Sequence, residues 1–348
     1  MRAFLCLLMC LELLFAQTVV VPIPGERQPP PPSQPSGGGG GGGGGGLGVV
    51  IGAVAGTLLL SLILSKALPA KAKEPKADRN IKPLFVPFEF IVVYKGSLPG
   101  GLEELERASF EDINFSLIRW EKSQKELEEA LSGKVLFVQP NYLYELEGKA
   151  IASEERVSQK PAGGGRVCLL DTGANLELLK DSLLGYENHL REPDMPEDHG
   201  TASGYLLKSL GASFYLHRVC SGGRCTSMAV AKGLLGCFKE GLRVVATPFG
   251  LYGAEDRLVS LLLSGLSRVG IRVVAPVGNE VSKSLPFPAS HPSVIKVAGD
   301  PCFPQGLCEP YPKEPYRVLS VDASGRQRLF VGTSFSSVIH AGRLSKGF

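Results

Sequence analysis

The chain has 348 residues and a formal net charge of +3, with 44% hydrophobic and 20% charged residues. This composition supplies enough apolar side chains for a core and excludes a wholly disordered protein. A charge near zero argues against nucleic-acid binding, because little counterion release from phosphates would drive it. Of the 43 glycines and 26 prolines, ten glycines form the run 37–46 and seven prolines lie within 22–35. The excess therefore marks a local linker and not the fold.

The N-terminus has the pattern of a targeting region. Residues 1–16 begin with a positive charge, continue as a short apolar segment and end at Ala16, which predicts a secretory signal peptide. Residues 17–46 are rich first in proline and then in glycine, which predicts a disordered linker.

Residues 47–65 carry no charge and are long enough to cross a bilayer as a helix. Gly48, Gly52 and Gly56 recur every four residues, as in packed membrane helices. We therefore predict a transmembrane helix; a buried helix or an unstructured tract is the alternative. The basic linker 66–85 follows, and the positive-inside rule alone would place the rest of the chain in the cytoplasm.

The signal-like start and the cysteines favour the opposite orientation. We therefore predict a membrane-anchored precursor of the cell envelope whose larger part lies outside the cytoplasm, in the periplasm or the extracellular space.

Residues 86–146 form a small acidic module, with 11 acidic and 6 basic residues. Residues 166–348, the C-terminal domain, have 16 acidic and 20 basic residues, so the two parts have complementary charge. The patterns in the module predict the order β-α-β-α-β. The predicted elements are strands at 88–94, 113–120 and 135–144, a helix at 102–110, and a helix at 123–131 that starts with a capping box, Ser123 and Glu126.

The C-terminal domain alternates apolar strands with helices, which predicts a doubly wound α/β fold with a mostly parallel sheet. Four short motifs follow strands or begin helices in this domain. They are Asp171-Thr-Gly, His199-Gly-Thr, Gly-Asn279 and Gly-Thr-Ser334.

Each motif alone has an ordinary structural explanation, as a turn or as a core residue. Together, the order Asp, His, Asn, Ser is specific. Nucleophilic catalysis needs a hydroxyl, a base that takes its proton and a group that orients the base. Positioned donors, such as an Asn side chain and a backbone N–H, stabilise the oxyanion that forms.

These motifs, together with the segment Phe287-Pro-Ala-Ser-His-Pro, resemble those of the subtilisin-like serine proteases, or subtilases, over residues 166–344. Residues 86–146 resemble, more weakly, the inhibitory propeptide of that family. The resemblance implies a subtilisin-like domain preceded by a small α+β, ferredoxin-like propeptide that acts as a chaperone and as an intramolecular inhibitor.

The resemblance also implies a role for each motif in a serine endopeptidase. Ser334 is expected to be the nucleophile, His199 the general base, Asp171 the group that orients the imidazole, and Asn279 a donor to the oxyanion. Substrate would pair with the strand made of Thr247, Pro248, Phe249 and Gly250, which departs from the usual family sequence and leaves the side-chain preference open.

Self-cleavage is expected in the processing linker 147–165. The partners implied are protein or peptide substrates, the module itself and a membrane.

The cysteines predict two short disulfide loops, Cys220 with Cys225 and Cys302 with Cys308. Cys168 and Cys237 lie in apolar segments and are expected to be free core residues. No cofactor is predicted. Many relatives of the family bind calcium. The sequence has no dense cluster of Asp and Asn with the spacing of oxygen ligands, so it neither predicts nor excludes a calcium site.

Three other readings use the same residues. Asp171-Thr-Gly is also the motif of aspartic proteases, but one copy would require a homodimer. A zinc protein would need histidines at finger-like spacing from the cysteine pairs, and the sequence has none there. A catalytically inactive subtilase-like binding module is the third reading, and it is separated from an enzyme by reaction with an active-site probe.

Overall fold

The computed structural model describes residues 81–110, 112–151, 164–280 and 284–347, which all belong to one compact unit. The predicted signal peptide, Pro/Gly-rich linker and transmembrane helix lie outside these residues. Within the described ranges, no helix is both long and apolar enough to cross a bilayer.

The acidic module is an antiparallel sheet with strand order β2-β3-β1-β4 and one helix. Its elements, with the short strand that follows them, are β1 (Phe85–Lys95), β2 (Glu103–Phe110), β3 (Ile113–Arg119), α1 (Gln124–Ala130), β4 (Phe137–Leu146) and β5 (Lys149–Ile151). The predicted capping box is present, since the Ser123 side chain accepts from the Glu126 backbone while the Glu126 carboxylate accepts from the Ser123 backbone.

The prediction of a helix over 102–110 is wrong, because Glu103–Phe110 form strand β2. The pairing with β3 shifts between Glu104 and Glu106, so Leu105 is an extra, bulged residue. The bulge lets Leu105 and Ala108 pack on the same core although they are three residues apart. In its described part the module therefore has one helix, and the two-helix ferredoxin-like order is not found.

The C-terminal domain contains the predicted doubly wound parallel sheet, with strand order β15-β14-β13-β11-β6-β8-β7. Its strands are β6 (Arg166–Asp171), β7 (Leu183–Asn188), β8 (Ser213–Arg218), β9 (Cys220–Ser221), β10 (Arg224–Thr226), β11 (Val244–Ala246), β12 (Phe249–Gly250), β13 (Arg272–Pro276), β14 (Ile295–Asp300), β15 (Lys313–Pro315), β16 (Arg317–Val321) and β17 (Gln327–Val331). Its helices are α2 (Leu176–Leu179), α3 (Asp198–Ser209), α4 (Ser227–Lys239), α5 (Arg257–Arg268) and α6 (Thr333–Leu344), followed by a 3₁₀ turn, Ser345–Gly347.

Helices cover both faces of this sheet. Leu206 of α3 and Val338 of α6 belong to one buried cluster, and Leu234 of α4 and Leu262 of α5 belong to another. The first cluster brings the beginnings of α3 and α6 close to the carboxyl end of β6. This arrangement collects residues from distant parts of the sequence at one edge of the sheet.

The acidic module packs on α4 and α5. The rings of Phe110 and Phe238 meet edge to face at 5.6 Å, and the Arg257 guanidinium lies 4.3 Å from the centre of the Phe137 ring. Ion pairs also cross this contact, for example between Arg191 and Glu89 at 2.5 Å. In the ion pairs between Arg191 and Glu89 and between Lys232 and Glu106, the acidic residue belongs to the module and the basic residue to the C-terminal domain.

The structure joins Cys220 to Cys225 and Cys302 to Cys308, as expected from their spacing. Cys168 and Cys237 are also joined to each other, so the expectation that they are free is wrong. Cys168 lies on β6 and Cys237 on α4, and both are fully buried. Because α4 lies directly against β6, two positions that are distant in sequence come within bonding distance.

We expect the bond between Cys168 and Cys237 to contribute most to stability, because it closes a loop of 69 residues, compared with 6 for Cys302 and Cys308. Loop-closure entropy predicts a loss of about 4 kcal/mol for Cys168→Ala/Cys237→Ala and about 2 kcal/mol for Cys302→Ala/Cys308→Ala. Urea unfolding of both variants, each carrying Ser334→Ala to remove the hydroxyl that the sequence predicts to be the nucleophile, measures the difference. Equal losses would show that the long loop has no special role.

Candidate active site

Asp171 and His199 form a buried pair at the carboxyl end of β6. The histidine lies in the first turn of α3, and its Nδ1 is 2.8 Å from Asp171 Oδ1. The carboxylate also accepts from the Thr172 backbone N–H at 2.7 Å, which fixes its orientation. A carboxylate accepts only, so Nδ1 is the donor and Nε2 is left as an acceptor. Nε2 is buried and has no hydrogen-bond partner among the described residues.

Ser334 is the second residue of α6 and is fully buried. Its hydroxyl donates to the Pro248 carbonyl at 2.7 Å, and not to the unpartnered Nε2 of His199. The structure therefore brings Asp171, His199 and Ser334 to one edge of the sheet, with the Asp–His hydrogen bond formed and the Ser–His hydrogen bond not formed.

The Asn279 side chain is held by the start of the same helix. Its Oδ1 accepts from the Thr333 backbone N–H at 2.9 Å and lies 3.1 Å from the Thr333 hydroxyl, which also has the Gly278 carbonyl as an acceptor at 2.9 Å. These two contacts use the oxygen of the carboxamide, so Nδ2 is the end of the group that remains as a donor.

The predicted substrate strand pairs with the end of the acidic module. Strand β4 lies between β12 and β10, with Leu146 opposite Phe249 and Glu145 opposite both Gly250 and Arg224. Both partner pairings are antiparallel, so the module supplies the middle strand of a three-stranded arrangement. Thr247 lies beside this arrangement and donates its hydroxyl to the Val274 carbonyl at 3.0 Å.

The side chain of Tyr144, also on β4, is fully buried in the C-terminal domain. Its ring meets Phe249 edge to face at 5.3 Å and lies 6.3 Å from Phe287, while its hydroxyl donates to Asp256 Oδ2 at 3.0 Å. Burial and the adjacent Asp256 carboxylate raise the pKa of Tyr144.

The residue that directly follows β4, Glu147, contacts the backbone of Ser334 at the start of α6. The Ser334 backbone N–H donates to the Glu147 carbonyl at 3.0 Å, and the Glu147 N–H donates to the Pro248 carbonyl at 3.4 Å. Gly332 makes this approach possible, because a Cβ on it would lie 2.2 Å from the Glu147 oxygen. Its φ of 141° is also a conformation that favours glycine.

Beyond Glu147 the chain remains held in the domain. A Cβ on Gly148 would lie 2.5 Å from the ring of Phe335, which is fully buried. Strand β5 then pairs with β17, with Ala150 opposite Phe330. The bond between residues 147 and 148 is thus fixed from both sides next to Ser334.

The sequence did not indicate Glu147, Gly148 or Tyr252 as site residues. The Tyr252 hydroxyl donates to the Glu147 carboxyl at 2.6 Å. The signal available in the sequence was the Glu-Gly pair at the end of the last strand of the module.

Apart from these residues, the structure contains a cluster of side chains that could bind a metal ion. The cluster consists of Glu187, His189 and His217, and His189 Nε2 lies 2.8 Å from His217 Nδ1. Burial lowers the pKa of His189 to about 3 and that of His217 to about 4, which keeps both neutral. The neighbouring sulfurs of Cys168 and Cys237 are bonded to each other, so neither is a thiolate ligand.

No model of a known protein family matches the sequence, and no curated protein matches it. Solved structures do match. Fervidolysin from Fervidobacterium pennivorans, a keratinolytic enzyme related to subtilisin, has a TM-score of 0.57 and 14% identity over 78% of this chain. The epidermin leader peptide processing serine protease of Staphylococcus aureus has a TM-score of 0.55 and 12% identity, covering 74% of this chain and 88% of its own. This chain spans 58% of the length of fervidolysin. The chain has a subtilisin-like fold.

Proposed function

We propose that the protein is a serine endopeptidase made as a precursor that cuts itself between Glu147 and Gly148. One observation carries the proposal: the Glu147 carbonyl accepts from the Ser334 N–H at 3.0 Å, and the ring of the next residue, Phe335, lies 4.9 Å from the ring of His199, the partner of Asp171. A carbonyl polarised by a backbone donor next to a serine and a base is the arrangement that acyl transfer requires.

In the proposed reaction, the Ser334 hydroxyl turns from Pro248 to His199 Nε2, which takes its proton as Oγ attacks the Glu147 carbonyl carbon. The oxyanion is stabilised by the backbone N–H of Ser334 and by Nδ2 of the Asn279 side chain. His199 then gives the proton to the nitrogen of Gly148, which leaves as a new N-terminus. Water hydrolyses the acyl-enzyme by the same route.

A catalytically inactive binding module is the second candidate, and it is favoured by the hydrogen bond from Ser334 to Pro248. That bond is between neutral groups, so it is worth about 1 kcal/mol and a rotation of the side chain breaks it. Catalytic hydrogen bonds are often absent before the reacting complex forms. We therefore favour the enzyme.

Labelling with a fluorophosphonate probe separates the two candidates. After processing, the active protein is expected to add one probe per chain at Ser334, and Ser334→Ala protein is expected to add none. A folded protein that neither processes itself nor takes up the label would establish the binding module.

We further propose that the acidic module stays bound as an inhibitor after cleavage. The pairing of β4 with β12 and β10, and the ion pair between Arg191 and Glu89, do not depend on the bond after Glu147. The proposed location outside the cytoplasm is supported by the three disulfides of the described residues, since such bonds persist in oxidising compartments.

A further inference from the structure

The Glu147 side chain occupies a closed pocket next to Ser334. It is 4% exposed, and its carboxyl accepts from the Tyr252 hydroxyl at 2.6 Å and from the Asn279 backbone N–H. The pocket thus places two hydrogen-bond donors where the carboxyl of a glutamate at position 147 reaches them.

The walls of this pocket are glycines and a proline. A Cβ on Gly250 would lie 3.0 Å from the Glu147 carboxyl and 2.7 Å from Pro286. A Cβ on Gly278 would lie 2.7 Å from the Tyr252 hydroxyl. Added side-chain atoms at either glycine would therefore fill the space that the glutamate and its donor now use.

We infer that this pocket, with Tyr252 as the specificity-determining residue, makes the protein cleave after glutamate or its neutral isostere glutamine when glycine follows. The inference rests on the proposed function and names the substrate class of the same site. Glycine is favoured after the cut because a Cβ on residue 148 would lie 2.5 Å from the ring of Phe335.

The pocket favours the neutral form of this side chain over the ionised form. Besides the Tyr252 phenol and the Asn279 backbone N–H, the groups that act on the Glu147 carboxyl are the acidic side chains of Glu145 and Glu280. Burial and, to a smaller extent, the Glu147 carboxyl raise the pKa of Tyr316. Burial is the main cause that raises the Glu147 pKa to about 7.

The direction of the pH dependence follows from this shift. A carboxyl whose pKa rises on binding takes up a proton, so binding of a glutamate peptide is strongest below pH 4.5, the ordinary pKa of the group. Binding weakens as pH rises towards 7 and then stays weak. A glutamine peptide has the same shape and no proton to take up, so its binding does not follow this course.

The test uses processed protein and pairs of peptides in competition, so that the effect of pH on the shared catalytic steps and the inhibition by the module cancel from each ratio of kcat/KM. The peptides carry residues 144–150, with glutamate, glutamine or methionine before glycine. We expect the preference for glutamine over glutamate to rise on the order of fifty-fold from pH 5 to pH 8.

Methionine matches the length but accepts no strong hydrogen bond, so its peptide should be cut at least about a hundredfold more slowly than the glutamine peptide. Valine in place of the glycine should reduce cleavage by tenfold or more, on the order of the penalty for overpacking.

Tyr252→Phe removes the donor and keeps the ring, and should reduce the preference for glutamine over methionine by about tenfold or more. Tyr186→Phe is the matched control, because Tyr186 also donates to a carboxylate, that of Asp194 at 2.7 Å. It should leave every ratio unchanged.

Two failures are distinguishable. If the precursor does not process itself and no peptide is cut, or if cleavage persists in Ser334→Ala protein, the proposed function falls and the pocket inference falls with it. If Ser334-dependent cleavage occurs equally well after methionine, or if the ratio of glutamine to glutamate does not change with pH, only the inference is overturned.

Discussion

Replacing Ser334 by alanine is expected to abolish peptide hydrolysis and self-processing together, with a loss on the order of 10⁶ in kcat. The reason is that no other hydroxyl adjoins the Glu147 carbonyl in the proposed mechanism, and the Ser334 backbone N–H that remains can polarise the carbonyl but cannot attack it. Processing is measured as conversion of the full-length precursor, made in a protease-deficient host, to its fragments. Adding His199→Ala should make the loss little worse, because serine and base act as a unit.

Ser336→Ala is the matched control for this variant. Ser336 is also a buried serine of α6, and its hydroxyl donates to the Pro315 carbonyl, away from the cut bond. We expect this protein to process itself. If both variants stop processing, the effect of Ser334→Ala is a folding defect and does not support the serine mechanism.

Asp171→Asn is expected to lower turnover on the order of 10⁴ while leaving the fold intact. The NH₂ group of an amide at this position donates to Nδ1 of His199, so the proton of the imidazole lies on Nε2. Nε2 can then no longer accept the proton of Ser334. Hydrolysis rates of the processed protein, with circular dichroism as a check on folding, measure the effect. A loss below about tenfold would mean that Asp171 does not orient His199 during the reaction.

Asn279→Ala is expected to be milder, with a loss on the order of 10²–10³ in kcat, because the Ser334 N–H remains as an oxyanion donor. The substitution also removes the acceptor for the Thr333 N–H. If the loss comes from the oxyanion, kcat falls while KM changes little. A rise in KM alone would assign Asn279 to ground-state binding.

Much of the candidate site was predictable because its residues stand in short local patterns of the sequence. Asp171 follows a buried strand, and parallel strands of a doubly wound sheet end at one edge. The start of α1 at Ser123 was predictable for the same reason, since a capping box is contained in four residues.

What the sequence did not predict depends on contacts between distant segments. The bulge at Leu105 gives a strand the spacing of a helix face, and only pairing with β3 reveals it. The bond between Cys168 and Cys237 requires the packing of α4 on β6. The role of Glu147 depends on the register of β4 against β12, which is about a hundred residues away in the sequence.

The proposed cut between Glu147 and Gly148 is tested by the N-terminal sequence of the mature protein. If the protein cuts itself there, the larger product begins Gly-Lys-Ala-Ile, and Ser334→Ala precursor made in the same host yields no such product. A mature protein that begins at another residue would show that the cut lies elsewhere, and the same N-terminus from the Ser334→Ala precursor would show that Ser334 does not make it.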